Sequence, residues 1–398
     1  KEYNGYKVYW EDGGQIVPPI DSKLTQEINK VEYSDIKFKK NEDLIYTLEN
    51  SMEKLYIRKS LSFFNKLYSN SEKNLKVVFT SLHGTSYKLI PKLFKRTGFS
   101  NLKLVNKQMI PDGNFTYAKS SNPEDKLALI DAIEIAKKNN SDLVIGTDPD
   151  ADRFGIVVKD FKGNYIQING NQSMIVLTDF LLSKLQYKKT KSFIASTVVS
   201  TPMMKKIADK NKVKLILSLT GFKWIGKMIN DFPSLNYICG GEESYGFLAG
   251  DFVRDKDAIT SCLLISGLCN ELKEKNSSFF ERLIDCYVKY GFFKEKLVTK
   301  TEKGEKGFKK INETINSLRN NPPYKLADDD IIKIYDYKNS LLINKVNNAY
   351  STLNLPKSNL LIFESSNGTR VAVRPSGTEP KIKYYFSVNA NLDTKNDF

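Results

Sequence analysis

Three aspartates alternate within the segment GTDPDADR at residues 146–153, namely Asp148, Asp150 and Asp152. The apolar run LVI at 143–145 precedes them and is typical of a buried strand. Side chains two residues apart in an extended chain share a face, so we expect the carboxylates to converge, and Pro149 disfavours a helix that would separate them. Mg²⁺ takes oxygen ligands and would neutralise three mutually repelling anions. With Arg153 directly after it, the triplet predicts a divalent-cation site.

Three other interpretations of this loop can be weighed from its spacing. A solvated acidic turn is the usual fate of aspartate-rich loops. A calcium-binding EF-hand counted from Asp148 requires Gly at its sixth position and Glu at its twelfth, where this chain has Arg153 and Lys159, so it is rejected. A two-aspartate phosphatase loop fits Asp148 and Asp150 but leaves Asp152 and Arg153 unexplained.

The segment RPSGTEPK at 374–381 follows an apolar-alternating stretch and is rich in phosphate donors. Arg374 can fork onto two phosphate oxygens, Gly377 allows the backbone to approach closely, and Ser376 and Thr378 add O–H and N–H donors. A type I or II turn built on Pro375 and Gly377 is the plainer interpretation. Both interpretations remain open at this point.

The segment GGEESYG at 240–246 places Glu242 and Ser244 on one face of a turn, where carboxylate and hydroxyl could clamp neighbouring sugar hydroxyls. On its own it is better explained as a helix N-terminus with acids near the dipole. The run DFVRDKDA then adds Arg254 and Lys256, which could meet a phosphate or move a proton, or could form a surface ion-pair cluster.

Alternating strands and helices must position these loops. We predict a helix over about 43–64 with its apolar stripe at Leu44, Ile45, Leu48, Met52, Leu55 and Tyr56. Next come the strand LKVVFT, a glycine turn with a helix, and the strand LKLV. A helix over about 123–139, capped by Asn122, leads into DLVIGT. The aspartates therefore follow a strand's carboxyl end, where open α/β sheets bind ligands.

The rest of the chain continues the α/β pattern and then changes. We predict helices over 171–185 and 202–211, with strands at SFIASTVVS, at KLILSLT, which runs into Gly221, and at LNYICG. From about residue 292, a helix near 303–318, the breaker NNPPY and several short strands indicate a smaller α+β domain. The predicted fold class is α/β, with tandem α/β domains and a C-terminal α+β domain.

Length and composition exclude several classes of protein. At 398 residues the chain is too long for one core and predicts about three domains of ordinary size. No uninterrupted apolar run of about 18 residues and no leader pattern is present, so we expect a soluble cytoplasmic protein without membrane contact. We expect no zinc site, no disulfide framework and no Ser-His-Asp hydrolase, because His83 is the sole histidine and no GxSxG motif occurs. The four cysteines also lack CxxC spacing: Cys239, Cys262, Cys269 and Cys286.

The formal net charge of +15 could attract a nucleic acid. The lysines, however, are scattered through every segment among Asn, Ser and Tyr, without a basic tail or a known nucleic-acid motif. We favour a compositional bias on solvated faces and expect no nucleic-acid partner. Such a field would still favour anionic small substrates.

Taken in order, the motifs resemble one family, the α-D-phosphohexomutases, which interconvert 1- and 6-phosphosugars. The matching segments are NGYK at 4–7, GTDPDADR at 146–153, TGFKWIG at 220–226, GEESYGF at 241–247 and RPSGTEP at 374–380. The resemblance spans essentially the whole chain. The longer forms PDGNFTYAKSSNPED and GEESYGFLAGDFVRDKDA look most like the bacterial α-phosphoglucomutase branch and its eukaryotic relatives, which include phosphopentomutases.

The resemblance implies a role for each matched position. It assigns Mg²⁺ to the three aspartates, a place at the catalytic centre to Arg153, proton transfer between sugar hydroxyl and phosphoserine to Lys7, and a position near the transferred phosphoryl group to Lys256. Sugar contacts are implied for Thr220, Gly221, Glu242 and Ser244. The non-reacting phosphate is assigned to Arg374, Ser376, Gly377 and Thr378. Phosphoryl transfer depends mainly on positioning and charge neutralisation, which these groups supply.

The chain departs from the family's pattern at the nucleophile. The phosphoserine lies in a TASHNP-type loop directly before the NGYK segment, and this chain starts at Lys1. We therefore expect a truncated chain that cannot complete the phosphoserine cycle alone, and Phe398 to end short of the relatives. We expect four regions: the remnant of domain I at 1–55, domain II with the metal loop at 56–168, domain III with the sugar loop at 169–291, and domain IV with the phosphate loop at 292–398.

The leading hypothesis is a phosphosugar mutase that interconverts glucose 1-phosphate and glucose 6-phosphate, with Mg²⁺ as cofactor and glucose 1,6-bisphosphate as intermediate and activator. GEES favours glucose by resemblance only, so a phosphomannomutase or phosphopentomutase remains open. A second hypothesis is a phosphosugar-binding fragment without catalysis. A third, nucleic-acid binding, predicts affinity that falls steeply with salt.

Overall fold

The computed structural model describes residues 7–48, 50–68, 72–187, 191–377 and 379–398. Asn4, Gly5 and Tyr6 of the NGYK segment, and Thr378 of the phosphate loop, lie outside the described residues. The chain divides into two compact units. Unit 1 comprises residues 1–195, 211–216 and 221–282, and unit 2 comprises 196–210, 217–220 and 283–398.

The first part of unit 1 is built on a five-stranded sheet of order β2-β1-β3-β4-β5. Its strands are β1 (Val77–Thr80), β2 (Leu102–Leu104), β3 (Leu143–Thr147), β4 (Phe154–Lys159) and β5 (Tyr165–Ile168). The β1 strand pairs parallel with β2 and β3, whereas β4 and β5 are antiparallel. The helices are α1 (Ile20–Ile28), α2 (Asn50–Leu67), α3 (Leu89–Arg96) and α4 (Ile130–Asn139). All five residues of β3 are buried, as expected for a strand covered on both faces.

A second sheet, of order β7-β6-β8-β9, follows along the chain. Its strands are β6 (Ser192–Thr197), β7 (Lys214–Ser218), β8 (Asn236–Gly241) and β9 (Phe247–Ala249). The accompanying helices are α5 (Gly170–Lys184), α6 (Met203–Asn211), α7 (Lys223–Asp231), α8 (Ala258–Glu274) and α9 (Phe279–Tyr290). Helix α8 is capped by Asp257, whose carboxylate accepts the Thr260 N–H at 2.9 Å, and its residues 258–270 are buried.

The end of the chain forms an antiparallel sheet of order β10-β17-β16-β15-β12-β13-β14, with β11 paired to β12. The strands are β10 (Phe292–Thr301), β11 (Lys325–Leu326), β12 (Asp329–Asp336), β13 (Leu341–Asn344), β14 (Ala349–Thr352), β15 (Leu361–Ser365), β16 (Arg370–Pro375) and β17 (Lys381–Ala390). Helix α10 (Gly304–Asn320) places Ile311 and Ile315 in a core with Phe363, Val373 and Ile382. Together these elements confirm the predicted fold class, and the four-domain division stays a prediction.

The structure corrects two predicted helices. The helix expected over 43–64 begins only at Asn50, after a short 3₁₀ turn at Glu42–Leu44, and Leu44 and Leu48 are 82% and 67% exposed. Its buried face carries Ile57, Ser60, Phe64 and Leu67, not the predicted stripe. The helix expected over 123–139 is confined to α4, because Asn122 accepts the Glu124 N–H and closes a turn there.

Candidate active site

The three aspartates lie in a tight turn between β3 and β4. Asp148 organises this turn: its Oδ1 accepts the backbone N–H groups of Asp152 and Arg153 at 3.0 and 2.8 Å, and its carbonyl accepts the Ala151 N–H at 3.0 Å. Ala151 has a left-handed φ of 58°. The expectation of an extended chain here was therefore wrong, because the turn rather than alternation brings the side chains together.

The carboxylates nevertheless converge as predicted. One oxygen from each of the three lies within 4.8 Å of the other two. Their exposure is graded, since the side chains of Asp148, Asp152 and Asp150 are 1%, 13% and 57% exposed. Three carboxylates of graded exposure fit a hard cation that keeps open positions for water or phosphate, so these residues could hold Mg²⁺.

Three cations surround the carboxylates. Lys7 Nζ donates to Asp150 Oδ2 at 2.8 Å and to Asp152 Oδ2 at 2.6 Å, and Lys256 Nζ lies 3.0 Å from the same Asp152 oxygen. Arg153 Nε donates to Asp148 Oδ2 at 2.8 Å. The structure thus brings Lys7, Arg153 and Lys256 to the aspartate loop.

Burial and charge act in opposite directions on this cluster. Burial raises the pKa of Asp148, even though Arg153 stabilises its ionised form. Burial also raises the pKa of Asp152, but Lys256 and Lys7 outweigh it and hold that pKa below its ordinary value. Desolvation lowers the pKa of Lys7, and Asp150 and Asp152 more than reverse it, so Lys7 remains an ammonium group.

A second pair of loops meets at Glu242. Its side chain is buried, and Oε1 accepts the backbone N–H of Gly221 at 2.7 Å, which joins the GEES loop to the TGF loop. Burial raises the pKa of Glu242 to about 7. Gly221 has a φ of +116°, a conformation that favours glycine. Ser244 is partly buried in the same turn, and the hydroxyl oxygen of neighbouring Thr220 is buried without a hydrogen-bond partner among the described residues.

The sugar-type loop and the aspartate loop are in contact within unit 1. Arg153 and Gly246 form an antiparallel β-bridge, and the Phe154 N–H donates to the Tyr245 carbonyl at 3.3 Å. A Cβ on Gly246 would lie 2.2 Å from Cδ of Lys256, so only glycine lets the lysine stem cross at this point. The GEES loop and Lys256 therefore lie next to the aspartate loop.

The phosphate-type loop lies in unit 2, at the end of β16. Arg374 faces Lys383 of β17 across the sheet. The Ser376 N–H donates to the Lys381 carbonyl at 2.8 Å, and its Oγ accepts the Glu379 N–H at 3.3 Å. Outside its chain neighbours, no described atom lies within 4 Å of the position of a Cβ on Gly377. Two cations facing each other across a strand pair repel unless an anion lies between them, which suits phosphate.

Several residues that contact the site were not predicted from the sequence. Glu124 accepts from Arg153 Nη1 at 3.1 Å, and Asp255 accepts from Lys256 Nζ at 2.9 Å and from the Tyr9 hydroxyl at 2.7 Å. No spacing rule links these residues to the aspartates, because they come from distant segments. Arg254, by contrast, donates to the backbone carbonyl groups of Asp251 and Val253, and within the described residues it makes no hydrogen bond or ion pair with the aspartate carboxylates.

All four cysteines are buried and none forms a disulfide bond, and burial raises the pKa of the Cys239 thiol to about 12. Among the described residues, no helix combines the length and the apolar character needed to span a bilayer.

Comparison with known proteins gives consistent similarities. Residues 54–163 match the family model for phosphoglucomutase/phosphomannomutase alpha/beta/alpha domain II, and 169–287 match the model for domain III. A phosphoglucomutase of Staphylococcus epidermidis (strain ATCC 35984) is 36% identical over 98% of this chain and 72% of its own length. One from Staphylococcus aureus (strain USA300) is 37% identical over 99% and 71%.

Structural comparison points to the same fold. The crystal structure of pp63/parafusin from Paramecium, described as a phosphoglucomutase, superposes with a TM-score of 0.61 at 20% identity. The superposition covers 86% of this chain but 58% of that protein, so the chain spans less than two thirds of its length.

Proposed function

Because the chain belongs to the phosphoglucomutase/phosphomannomutase family, we propose that it forms part of a Mg²⁺-dependent mutase that interconverts glucose 1-phosphate and glucose 6-phosphate. The observation that carries the proposal is the charge cluster of unit 1. Three carboxylates converge within 4.8 Å, and the Lys7 and Lys256 ammonium groups lie 2.6–3.0 Å from them. Such a cluster can neutralise a phosphoryl group in transit, which is the main requirement of phosphoryl transfer.

In this proposal Asp148, Asp150 and Asp152 hold Mg²⁺. The bound ion would withdraw charge from the phosphoryl oxygens and from the leaving oxygen. Arg153 is fixed between Asp148 and Glu124, with its fork beside the loop. It would stabilise the equatorial oxygens of the phosphoryl group as these gain charge.

Proton transfer falls to Lys7, and charge stabilisation of the transferred phosphoryl group falls to Lys256. The neighbouring carboxylates keep both lysines protonated, since they outweigh the effect of burial on each pKa. Lys7 would exchange its proton with the sugar hydroxyl and the serine oxygen as the phosphoryl group passes between them. Lys256, only 12% exposed and braced by Asp255, would hold the transferred phosphoryl group by charge.

We assign substrate recognition to two sets of residues. We assign the sugar hydroxyls to Glu242, Ser244, Thr220 and Gly221, because a buried carboxylate and a buried, unpartnered hydroxyl are costly unless a polar ligand meets them. We assign the non-reacting phosphate to Arg374, Ser376, Gly377 and Thr378. Glucose 1,6-bisphosphate would be the intermediate: phosphoserine phosphorylates one sugar hydroxyl, and the serine regains the phosphoryl group of the other.

The domain division accompanies this assignment. We propose that residues 56–168 carry the metal loop, 169–291 the sugar loop and 292–398 the phosphate loop, with 1–55 belonging to a first domain. The family models matched at 54–163 and 169–287 support the proposed ranges of the two middle domains.

The direct test is mutase activity in the full polypeptide that the gene encodes. Phosphorus-31 NMR should show glucose 1-phosphate converting to glucose 6-phosphate with Mg²⁺ and stopping in EDTA. Mannose 1-phosphate and ribose 1-phosphate should react more slowly, and faster reaction with either would favour the corresponding alternative mutase. No Mg²⁺-dependent conversion, combined with saturable binding of glucose 1,6-bisphosphate, would favour the non-catalytic alternative.

A further inference from the structure

The segment Leu82–Thr85, which we call the LHGT turn, lies directly after β1 and has a costly backbone conformation. Leu82 and His83 are consecutive non-glycine residues in the left-handed region, with φ of 46° and 64°. Such conformations are unfavourable for non-glycine residues and persist only where surrounding contacts enforce them. The two residues are 0% and 5% exposed. The contacts of this turn should therefore show what the conformation achieves.

The LHGT turn packs against the aspartate loop and is hydrogen-bonded to it. A Cβ on Gly84 would lie 2.4 Å from Cα of Pro149, and the Thr85 N–H donates to the Pro149 carbonyl at 2.8 Å. Pro149 is the residue between Asp148 and Asp150. The Ser86 and Thr147 hydroxyls, 2.6 Å apart, tie the same two segments one step further along. The turn thus fixes the peptide that spaces two of the three carboxylates.

His83 in turn fixes the LHGT turn. The backbone N–H of His83 donates to the Gln108 carbonyl at 2.8 Å. In its ring, Nδ1 lies 2.7 Å from the Ile110 carbonyl oxygen, and Nε2 accepts the backbone N–H of Tyr117 at 3.2 Å. The ring also stacks on Tyr117, with centroids 6.1 Å apart. Since a carbonyl only accepts and a backbone N–H only donates, these partners select the neutral ring with its proton on Nδ1.

We propose that His83 is a positioning residue for the metal site: held in the Nδ1–H tautomer, it locks the LHGT turn against Pro149 and so sets the spacing of the carboxylates. The inference rests on the proposed function in one respect, namely that the aspartates bind Mg²⁺. His83 itself touches none of them. It acts through Gly84 and Thr85, in the way that outer partners orient the ligands of metal sites.

The tautomer can be read without resonance assignment, because His83 is the sole histidine of the chain. Long-range ¹⁵N–¹H correlation of the imidazole at neutral pH should give the pattern of a neutral ring protonated at Nδ1. A pattern for the Nε2–H tautomer, or for a ring protonated at both nitrogens, would overturn the proposal whether or not any variant folds.

Calorimetric titration with Mg²⁺ then tests the consequence. His83→Gly tolerates the left-handed backbone but removes the ring, and should weaken Mg²⁺ binding about tenfold, within the range seen for outer partners of metal ligands. His83→Asn also tolerates that backbone and can donate to Ile110, so its loss should be about threefold. Added imidazole should restore affinity to His83→Gly and leave the unsubstituted protein unchanged.

The outcomes separate the two proposals. No Mg²⁺ binding by the unsubstituted protein overturns the metal site, and with it this inference. Mg²⁺ binding that is equally tight in His83→Gly overturns the inference alone. If His83→Gly loses affinity only because it unfolds, imidazole will not restore binding. The test then rests on His83→Asn, with thermal unfolding as the check that this variant is folded. Folded His83→Asn that binds Mg²⁺ as tightly as the unsubstituted protein overturns the inference, and the expected threefold loss supports it.

Discussion

The aspartate loop of unit 1 and the phosphate-type loop of unit 2 differ in how completely the protein builds them in advance. The aspartate loop is held by its own Asp148, by the LHGT turn and by a bridge to Gly246. In the phosphate-type loop, no described atom outside the chain neighbours lies within 4 Å of the position of a Cβ on Gly377. A metal needs its ligands fixed within tenths of an ångström, whereas a phosphate that must enter, turn and leave needs donors but not a closed cage.

Removing one carboxylate should have the largest effect. Asp150→Asn deletes a charged ligand but leaves the fold intact, because Asp150 is 57% exposed. We expect Mg²⁺ affinity to fall by about 100-fold or more, since even outer partners of metal ligands contribute ~10–100-fold. Calorimetry measures this, with Asp209→Asn on the exposed face of α6 as the matched control. Equal Mg²⁺ affinity in the two variants would disprove the metal assignment.

A matched pair of glycine substitutions tests the difference between the aspartate loop and the phosphate-type loop. Gly84→Ala forces a methyl group to 2.4 Å from Pro149, while the methyl group of Gly377→Ala meets no described atom within 4 Å apart from its chain neighbours. We expect Gly84→Ala to lower the free energy of unfolding by about 3 kcal/mol, at the upper end for overpacking, and to weaken Mg²⁺ binding. Gly377→Ala should change neither quantity. Denaturant unfolding of both variants measures the difference, and a tolerated Gly84→Ala would contradict the pre-built loop.

The buried carboxyl group of Glu242 should make the folded protein less stable at high pH than at low pH. Burial raises the pKa of Glu242 to about 7 from an ordinary 4.5, so the folded state holds this proton more tightly than the unfolded state does. Its contribution to stability is therefore present below about pH 4.5 and is lost as the pH rises through 7. Glu242→Gln, which stays neutral, should be more stable than the unsubstituted protein by about 2 kcal/mol at pH 8.

The measurement is the free energy of unfolding at pH 4 and pH 8, and the gain should disappear at the lower pH. A gain of equal size at both values would mean that packing, rather than charge, explains the effect. Sugar-phosphate binding should fall in the same variant, since an amide replaces the carboxylate proposed to clamp the hydroxyls.

The open loop should show a smaller and more selective effect. Arg374→Lys keeps the charge but loses the bidentate fork, so glucose 1,6-bisphosphate affinity should fall about tenfold. Mg²⁺ affinity should not change, because the metal loop is held by contacts of its own. Titrations with each ligand test this, with Arg96→Lys at the exposed end of α3 as control. A loss of Mg²⁺ affinity in Arg374→Lys would show that the loops are not independent.

The sequence allowed the α/β class, the strand before the aspartates and the convergence of their carboxylates to be predicted, because these depend on local composition and period. It did not reveal the turn conformation of Ala151. Periodicity also extended α2 over residues 43–49, where exposed apolar side chains fit the helical spacing without packing against a core. Glu124, Asp255 and His83 act through partners that are distant along the chain, and no spacing rule reaches them.

The most direct test of the account is titration of this chain with glucose 1,6-bisphosphate, at saturating Mg²⁺ and in EDTA. If the aspartate loop is the electrostatic centre of a phosphosugar site, Mg²⁺ should tighten binding by about tenfold or more, because it neutralises carboxylates that otherwise repel the phosphate. Saturable binding of equal affinity with and without Mg²⁺ would contradict that claim.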